Sequence, residues 1–352
     1  MTSRERMDAA LRGERPDLTP VFLRDLTLGL DVCGFTTPEV CRGGPGGTYD
    51  ADKSARCVIE TQRLLGHDCV VGSIHDLGLD VDVLGGRVEF PERGIPYVAE
   101  PAFPTAEAIA RAHLLDLASQ GRMPGVVRSY QIVAEAIGDE VAVAANVEGP
   151  VTKAGVLRGI DSLLTDMMRN PSAARAAVDF AVSLCCEHVR ALLAAGAHFV
   201  FVAAASDGPA AIRPEHYLEY TIPGLARIVA VARECGAGVV FHPHGPFTEE
   251  RFWPLVEAAI QTGIAGFQFG EQNDLAVAKE RCGERICILG GVDVPTVLLP
   301  GPPERIREVT RAAIDQAGRG GGYVLMPSCS IHRGFPVDHL KTMIATAREH
   351  TI

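Results

Sequence analysis

The sequence predicts an α/β chain closed into a (β/α)8 barrel of TIM type, with an N-terminal insertion that contains a small hairpin. Three observations carry that prediction. Short apolar runs alternate with amphipathic stretches along all 352 residues, the pattern of repeated β-α units around a parallel sheet. Eight such runs can be counted, and eight parallel strands close most economically on themselves, because an open sheet of that width leaves edges to protect. Polar side chains gather just past the ends of these runs, while the run interiors are almost wholly Val, Ile, Ala, Phe and Leu.

In chain order the expected strands are Pro20–Arg24, Cys69–Ser73, Val141–Val147, His198–Ala204, Gly238–Phe241, Ala265–Phe269, Ile286–Gly290 and Tyr323–Met326. Between the first and third lies a stretch far longer than one crossover needs. We expect residues 25 to 125, roughly, to cap the barrel mouth within one domain spanning 1–352. In that stretch Val88–Pro91 and Ile95–Val98 flank Glu92-Arg93-Gly94, which reads as a hairpin. The Gly-rich Arg42–Gly47 reads as a flexible lid, and Gly318–Gly322 as a tight connection into the last strand. Asp80 and Asp82 alternate with Val81 and Val83, the pattern of an exposed strand face.

The helices carry recognisable punctuation. Asn170-Pro171 starts a long helix through Ala195, with Pro171 in the first turn and Gly196 after the end. The adjacent Cys185 and Cys186 sit mid-helix as core residues. Arg213-Pro214-Glu215 opens the next helix and Gly236 closes it, with a kink or split expected at Pro223-Gly224.

Bulk composition narrows the function classes. Hydrophobic residues make up 47% and charged residues 22%, enough to build the large core of a globular enzyme. A net charge of -11 argues against nucleic acid as a partner. The opening residues are too polar for a signal peptide and no apolar run reaches spanning length, so no membrane partner and a cytoplasmic location are expected. The ten cysteines show no paired spacing, and most are expected to be small buried hydrophobes.

The strand exits supply the candidate site. Phe241-His242-Pro243-His244-Gly245 ends the fifth run, and Met326-Pro327-Ser328-Cys329-Ser330 ends the eighth. Two histidines at i and i+2 of an extended segment project to the same side, so both imidazoles can reach one ion. With Cys329 they make a set of two nitrogens and one sulfur, and three protein ligands with an open fourth position describe a catalytic rather than a structural zinc site. Glu271, past the sixth run, is a candidate for that fourth position; its other reading is a solvated loop carboxylate. Asp25, His75, Asn146, Glu148, Asp207, Gln268 and His332 stand at the remaining exits as candidate substrate contacts, with Arg24, Asp76 and Asp293 beside them.

Several segments then resemble the uroporphyrinogen decarboxylase superfamily. They are Glu148-Gly149-Pro150-Val151-Thr152 with Leu157-Arg158-Gly159, Ala195–His198, Arg213–Tyr217, Leu289–Asp293, Gly321–Leu325 and Pro336–Leu340. More narrowly the chain is similar to the branch of corrinoid-dependent methyltransferases that act on a thiol such as coenzyme M. The resemblance implies a (β/α)8 barrel and a zinc held by a His-x-Cys pair and a distant cysteine. His242 and Cys329 match that pattern, whereas His244 stands where the family has cysteine. The implied activity is zinc-dependent methyl transfer between a corrinoid, such as methylcobalamin carried by a partner protein, and a small thiol or methoxy substrate. Self-association into a homo-oligomer is left open. The alternative is a metal-free decarboxylase, but the arginine-rich N-terminal signature that such an enzyme uses for substrate carboxylates is reduced here to Arg24.

Overall fold

A computed structural model describes residues 1–113 and 119–350. Its framework is a seven-stranded parallel sheet in which neighbours follow one another around the molecule. The strands are β1 (Cys69–Val71), β4 (Ala142–Glu148), β5 (Phe199–Ala204), β6 (Val239–Pro243), β7 (Gly266–Phe269), β8 (Cys287–Val292) and β9 (Tyr323–Pro327). A separate antiparallel hairpin pairs β2 (Arg87–Glu89) with β3 (Tyr97–Glu100). Every residue of β5, β6 and β9 is buried. That burial on both faces explains why their sequences run apolar without alternation.

The first expected strand is the main departure. Over Pro20–Arg24 the chain makes isolated bridges, Val21 to Leu325 on β9 and Phe22 to Cys69 on β1. Two residues therefore span the gap between the first and last strands of the sheet, and a full strand is not formed there. Arg24 leaves the bridge with φ of 46°, a left-handed conformation that a non-glycine residue adopts at some cost. This turn carries the chain away from the sheet just where the candidate site begins. The result is a curled α/β sheet of barrel-like form.

Helices cover the outer face. The helix Pro171–Ala194 is capped by Asn170, whose side chain accepts from the Ala173 N–H, and Gly196 ends it at φ 99°. Cys185 and Cys186 are both buried within it. The expected break near Pro223 takes the form of a π-helical turn, Tyr217–Thr221, ahead of the helix Ile222–Glu234. Pro223 has no N–H to donate back to the preceding turn, so the bonding register slips there. Among the described residues no helix is long and apolar enough to cross a membrane.

The stretch between Arg24 and β4 holds the helices Leu28–Cys33, Thr37–Cys41, Ala51–Leu65, Ala106–Ala110 and Met123–Ile137 besides the hairpin. Part of the expected cap, residues 114–118, lies outside the described residues. Arg122 ties this region together, with its Nε 2.5 Å from Asp76, an ion pair to Asp82 and a hydrogen bond to the Gly78 carbonyl. The reading of Asp80 and Asp82 as an exposed strand face is corrected here. Both sit in a run of turns after β1, and Asp80 is buried against Lys153 and His188. Two-residue alternation records a period; it cannot show which partner later covers one of the acids.

Candidate metal centre at the strand ends

His242 occupies β6 itself, His244 lies just past its end, and Cys329 follows β9 after Pro327 and Ser328. The fold brings the three together, with their ligand atoms all within 4.8 Å of one another. The two Nε2 atoms are 3.1 Å apart, and Cys329 Sγ is 3.9 Å from His244 Nε2. A tetrahedral zinc with Zn–N of about 2.0–2.1 Å and Zn–S of about 2.3 Å separates its nitrogens by about 3.4 Å and nitrogen from sulfur by about 3.6 Å. These two separations fit such an ion with small adjustments, and the third pair, His242 with Cys329, lies within 4.8 Å. The two rings meet through their Nε2 atoms within hydrogen-bond distance, so the same two nitrogens that could share a proton face one point.

Protonation favours ligation. Burial holds His242 well below the ordinary imidazole range, helped by Arg24 and His244, so it presents a neutral ring. Burial pushes the Cys329 thiol up, but its hydrogen bond with His244 and the nearby Arg24 charge outweigh that and bring it down to about 7. His242 is buried, whereas His244 and Cys329 are partly exposed, so the cluster is open on one side.

Local devices set these positions. Gly208 backs onto His244, and a Cβ there would stand 2.1 Å from the His244 carbonyl oxygen. Asn273 donates to the Gly245 and Gly270 carbonyls and accepts from the Thr248 N–H, which fastens the two loops together. Ser328 accepts from the Val294 N–H through its hydroxyl and donates its own N–H to Val292, holding the turn that carries Cys329. Gln268 donates to the Pro327 and Ser328 carbonyls from the neighbouring strand.

The other expected residues divide by what their polar atoms already hold. Asp25 accepts from the Thr27 and Leu28 N–H groups at the start of the helix Leu28–Cys33. Asp207 accepts from the Val151 and Thr152 N–H groups and from the Thr152 and Thr221 hydroxyls. Both carboxylates are thus turned to the framework. Asn146 accepts from Arg24 Nε at 3.0 Å, and the Arg24 guanidinium also lies over the Phe201 ring. His332 contacts the Thr27 and Ser330 hydroxyls through its two ring nitrogens. Burial lowers His75 and His332 each to about 4, so both rings are neutral. Glu271 is exposed and borders a groove with His244, Gly245 and Asn273, outside the three-residue cluster.

Strand register places Glu148, Ala203 and His242 side by side on β4, β5 and β6. Ala203 is the small member of the row, between the carboxylate and the imidazole. Behind Glu148 lies a group that the sequence did not reveal. Lys153 Nζ is 2.5 Å from Asp80 and 3.4 Å from Glu148, and Asp80 in turn meets His188 at 3.0 Å. All four are buried. Burial opposes the charge on Lys153, yet Asp80 and Glu148 more than offset it and its pKa is raised. Burial likewise pushes Asp80 up, and His188 with Lys153 pull it well below the usual carboxylate range. A lone lysine in the apolar run Pro150–Leu157 was the one local sign of this network.

Known proteins resemble this chain over most of its length. The sequence pattern of the family Uroporphyrinogen decarboxylase (URO-D) matches residues 2–350. The methylated-thiol–coenzyme M methyltransferase of Methanosarcina mazei is 23% identical over all of this chain and 90% of its own length. The methylcobamide:CoM methyltransferase MtbA of Methanosarcina acetivorans is 23% identical over 99% of this chain and 98% of its own. Among solved structures, a methyltransferase from Methanosarcina mazei superposes with a TM-score of 0.86 at 24% identity, covering 99% of both chains. On these matches the chain belongs to the uroporphyrinogen decarboxylase family, and the two relatives matched along nearly their whole length bear the names of coenzyme M methyltransferases.

Proposed function

We propose that this protein is a corrinoid-dependent methyltransferase that moves a methyl group between a corrinoid carried by a partner protein and a small thiol or methylated substrate. It would do so at a zinc ion held by His242, His244 and Cys329. The observation that carries the reading is the convergence of those three donors, with His242 neutral and Cys329 readily deprotonated, on one point open to the strand-end face. When bound, the ion acts as a Lewis acid that lowers the pKa of a thiol or polarises a methoxy oxygen. With one thiolate fewer than a His-Cys-Cys set, this centre is the more electrophilic, which suits oxygen as well as sulfur substrates.

The chain's own side chains do the rest. Arg24 places a fixed positive charge near Cys329 and Glu148, so the thiolate is not left uncompensated in a poorly solvated site. Asn146 keeps that guanidinium in place. We assign substrate contact to His75, Glu148 and Asn146, and framework roles to Asp25, Asp207 and His332, whose polar atoms are already occupied. Glu271 is our candidate for the fourth position when no substrate is present. In this reading the seven strands, closed by the bridges at Val21 and Phe22, form the barrel of a single cytoplasmic domain. Residues from about 25 to 125 cap its mouth and leave a rim for the corrinoid protein.

The test is metal analysis joined to mutation. The purified protein should hold about one zinc per chain, and Cys329→Ala should lose both the zinc and methyl transfer from methylcobalamin. Transfer that survives loss of the metal would overturn the mechanism.

A further inference from the structure

Two buried polar atoms beside the metal centre have no partner among the described residues: Nδ1 of His242 and Oε1 of Gln268. They belong to neighbouring strands at the same level. Phe241 on β6 and Phe267 on β7 are register partners, and His242 and Gln268 are the next residue on each strand. Successive side chains alternate faces, so this second pair shares the opposite face from the two phenylalanines. Both residues are sealed from solvent, His242 at 1% exposure and Gln268 at 0%.

The orientation of the amide follows from chemistry. Its other end lies 2.9 Å from the Pro327 carbonyl and 3.4 Å from the Ser328 carbonyl. Carbonyls only accept, so the NH2 end faces them and the oxygen end faces inward. The tautomer of His242 is constrained as well. Its Nε2 is 3.1 Å from His244 Nε2, and ligation through that atom requires the proton on Nδ1. A buried N–H donor and a buried oxygen acceptor thus stand unpaired on adjacent strands, and each is what the other lacks.

We propose that Gln268 is the positioning residue of the metal centre, its Oε1 accepting the His242 Nδ1–H while its amide N–H groups hold the turn that carries Cys329. This deepens the zinc reading above and rests on it. One side chain then sets the ring and tautomer of one ligand and the backbone of another. It moves Gln268 from the substrate contacts suggested by its place at a strand exit to a role behind the ligands. Such partners of metal-bound histidine commonly affect metal affinity by about 10–100-fold.

The experiment measures zinc affinity by competition with a chromophoric chelator in wild type, Gln268→Met and Gln268→Glu, with nitrogen NMR of the His242 ring in zinc-loaded wild type. Gln268→Met removes both hydrogen-bonding ends at similar size, whereas Gln268→Glu restores an accepting oxygen. The expected result is a loss of about 10–100-fold for Met, recovered in large part by Glu, and a protonated, slowly exchanging Nδ1 in wild type. Equal affinity of wild type and a folded Gln268→Met, or a His242 Nδ1 that is unprotonated or exchanges freely, would overturn the proposal. If the Met variant fails to fold, the wild-type ring signal decides. Failure of wild type to bind zinc at all would instead strike the reading of the site itself.

Discussion

Cys329 is the thiol of the candidate metal centre, and its environment can be tested without any substrate. Burial alone would make its thiol a poor nucleophile, as it does for Cys185 and Cys287, which burial holds above the ordinary thiol range. Its contact with His244 and the charge of Arg24 reverse that and bring it to about 7. In metal-stripped protein, iodoacetamide should therefore label Cys329 with a pH midpoint near 7, below the about 8.5 of a free thiol. Arg24→Gln should move the midpoint upward by removing a stabilising positive charge. A midpoint at or above the free-thiol value in the unaltered protein would show that the site does not favour the thiolate. At this scale His242, His244 and Cys329 were legible in the sequence because strand-end position and i, i+2 spacing are local properties. Gln268 was legible as a residue at a strand exit, but its direction was not, since that depends on carbonyls some sixty positions away.

At the scale of elements, the four buried groups Glu148, Lys153, Asp80 and His188 join β4, the helix Pro150–Arg158, the turn after β1 and the long helix Pro171–Ala194. Removing one partner from a buried ionic cluster leaves the others uncompensated and costs about 3–5 kcal/mol. Lys153→Met should destabilise the protein by that amount in chemical denaturation, with the carboxylates of Asp80 and Glu148 left without their cation. A change below about 1 kcal/mol, as for an exposed ion pair, would contradict the reading. The hairpin β2–β3 and the ends of the long helix were readable because turn residues, N-caps and glycine stops act over a few residues. Asp80 was not, because its partners Lys153 and His188 lie far along the chain and only the folded structure brings them together. The π-turn Tyr217–Thr221 lay between these cases: Pro223 announced a break but not its form.

At the scale of the whole molecule, closure of the sheet depends on very little backbone. Val21 and Phe22 bridge β9 and β1, and Phe22, fully buried, meets Phe199 and Phe201 edge to face inside the sheet. Phe22→Ala should cost about 3–5 kcal/mol, the range for deleting a buried aromatic ring, and a thermal unfolding series with Phe22→Leu as the milder change would measure it. A loss no larger than that of an exposed substitution would mean that the bridge is peripheral. The repeated apolar runs made the parallel α/β plan visible, yet they overstated the first strand, whose residues are apolar because they plug the sheet rather than extend it. The long insertion was visible only as excess length, since its order comes from contacts such as Arg122 with Asp76 and Asp82.

The central claim is that the molecule exists to present a two-histidine, one-cysteine metal centre with one side open to substrate. X-ray absorption at the zinc edge, on purified protein with and without a small thiol, tests it most directly. The account predicts one zinc per chain with two nitrogen ligands and one sulfur, and a second sulfur in the shell when a thiol substrate is added. A protein without stoichiometric zinc, or a zinc shell that lacks the Cys329 sulfur, would contradict it.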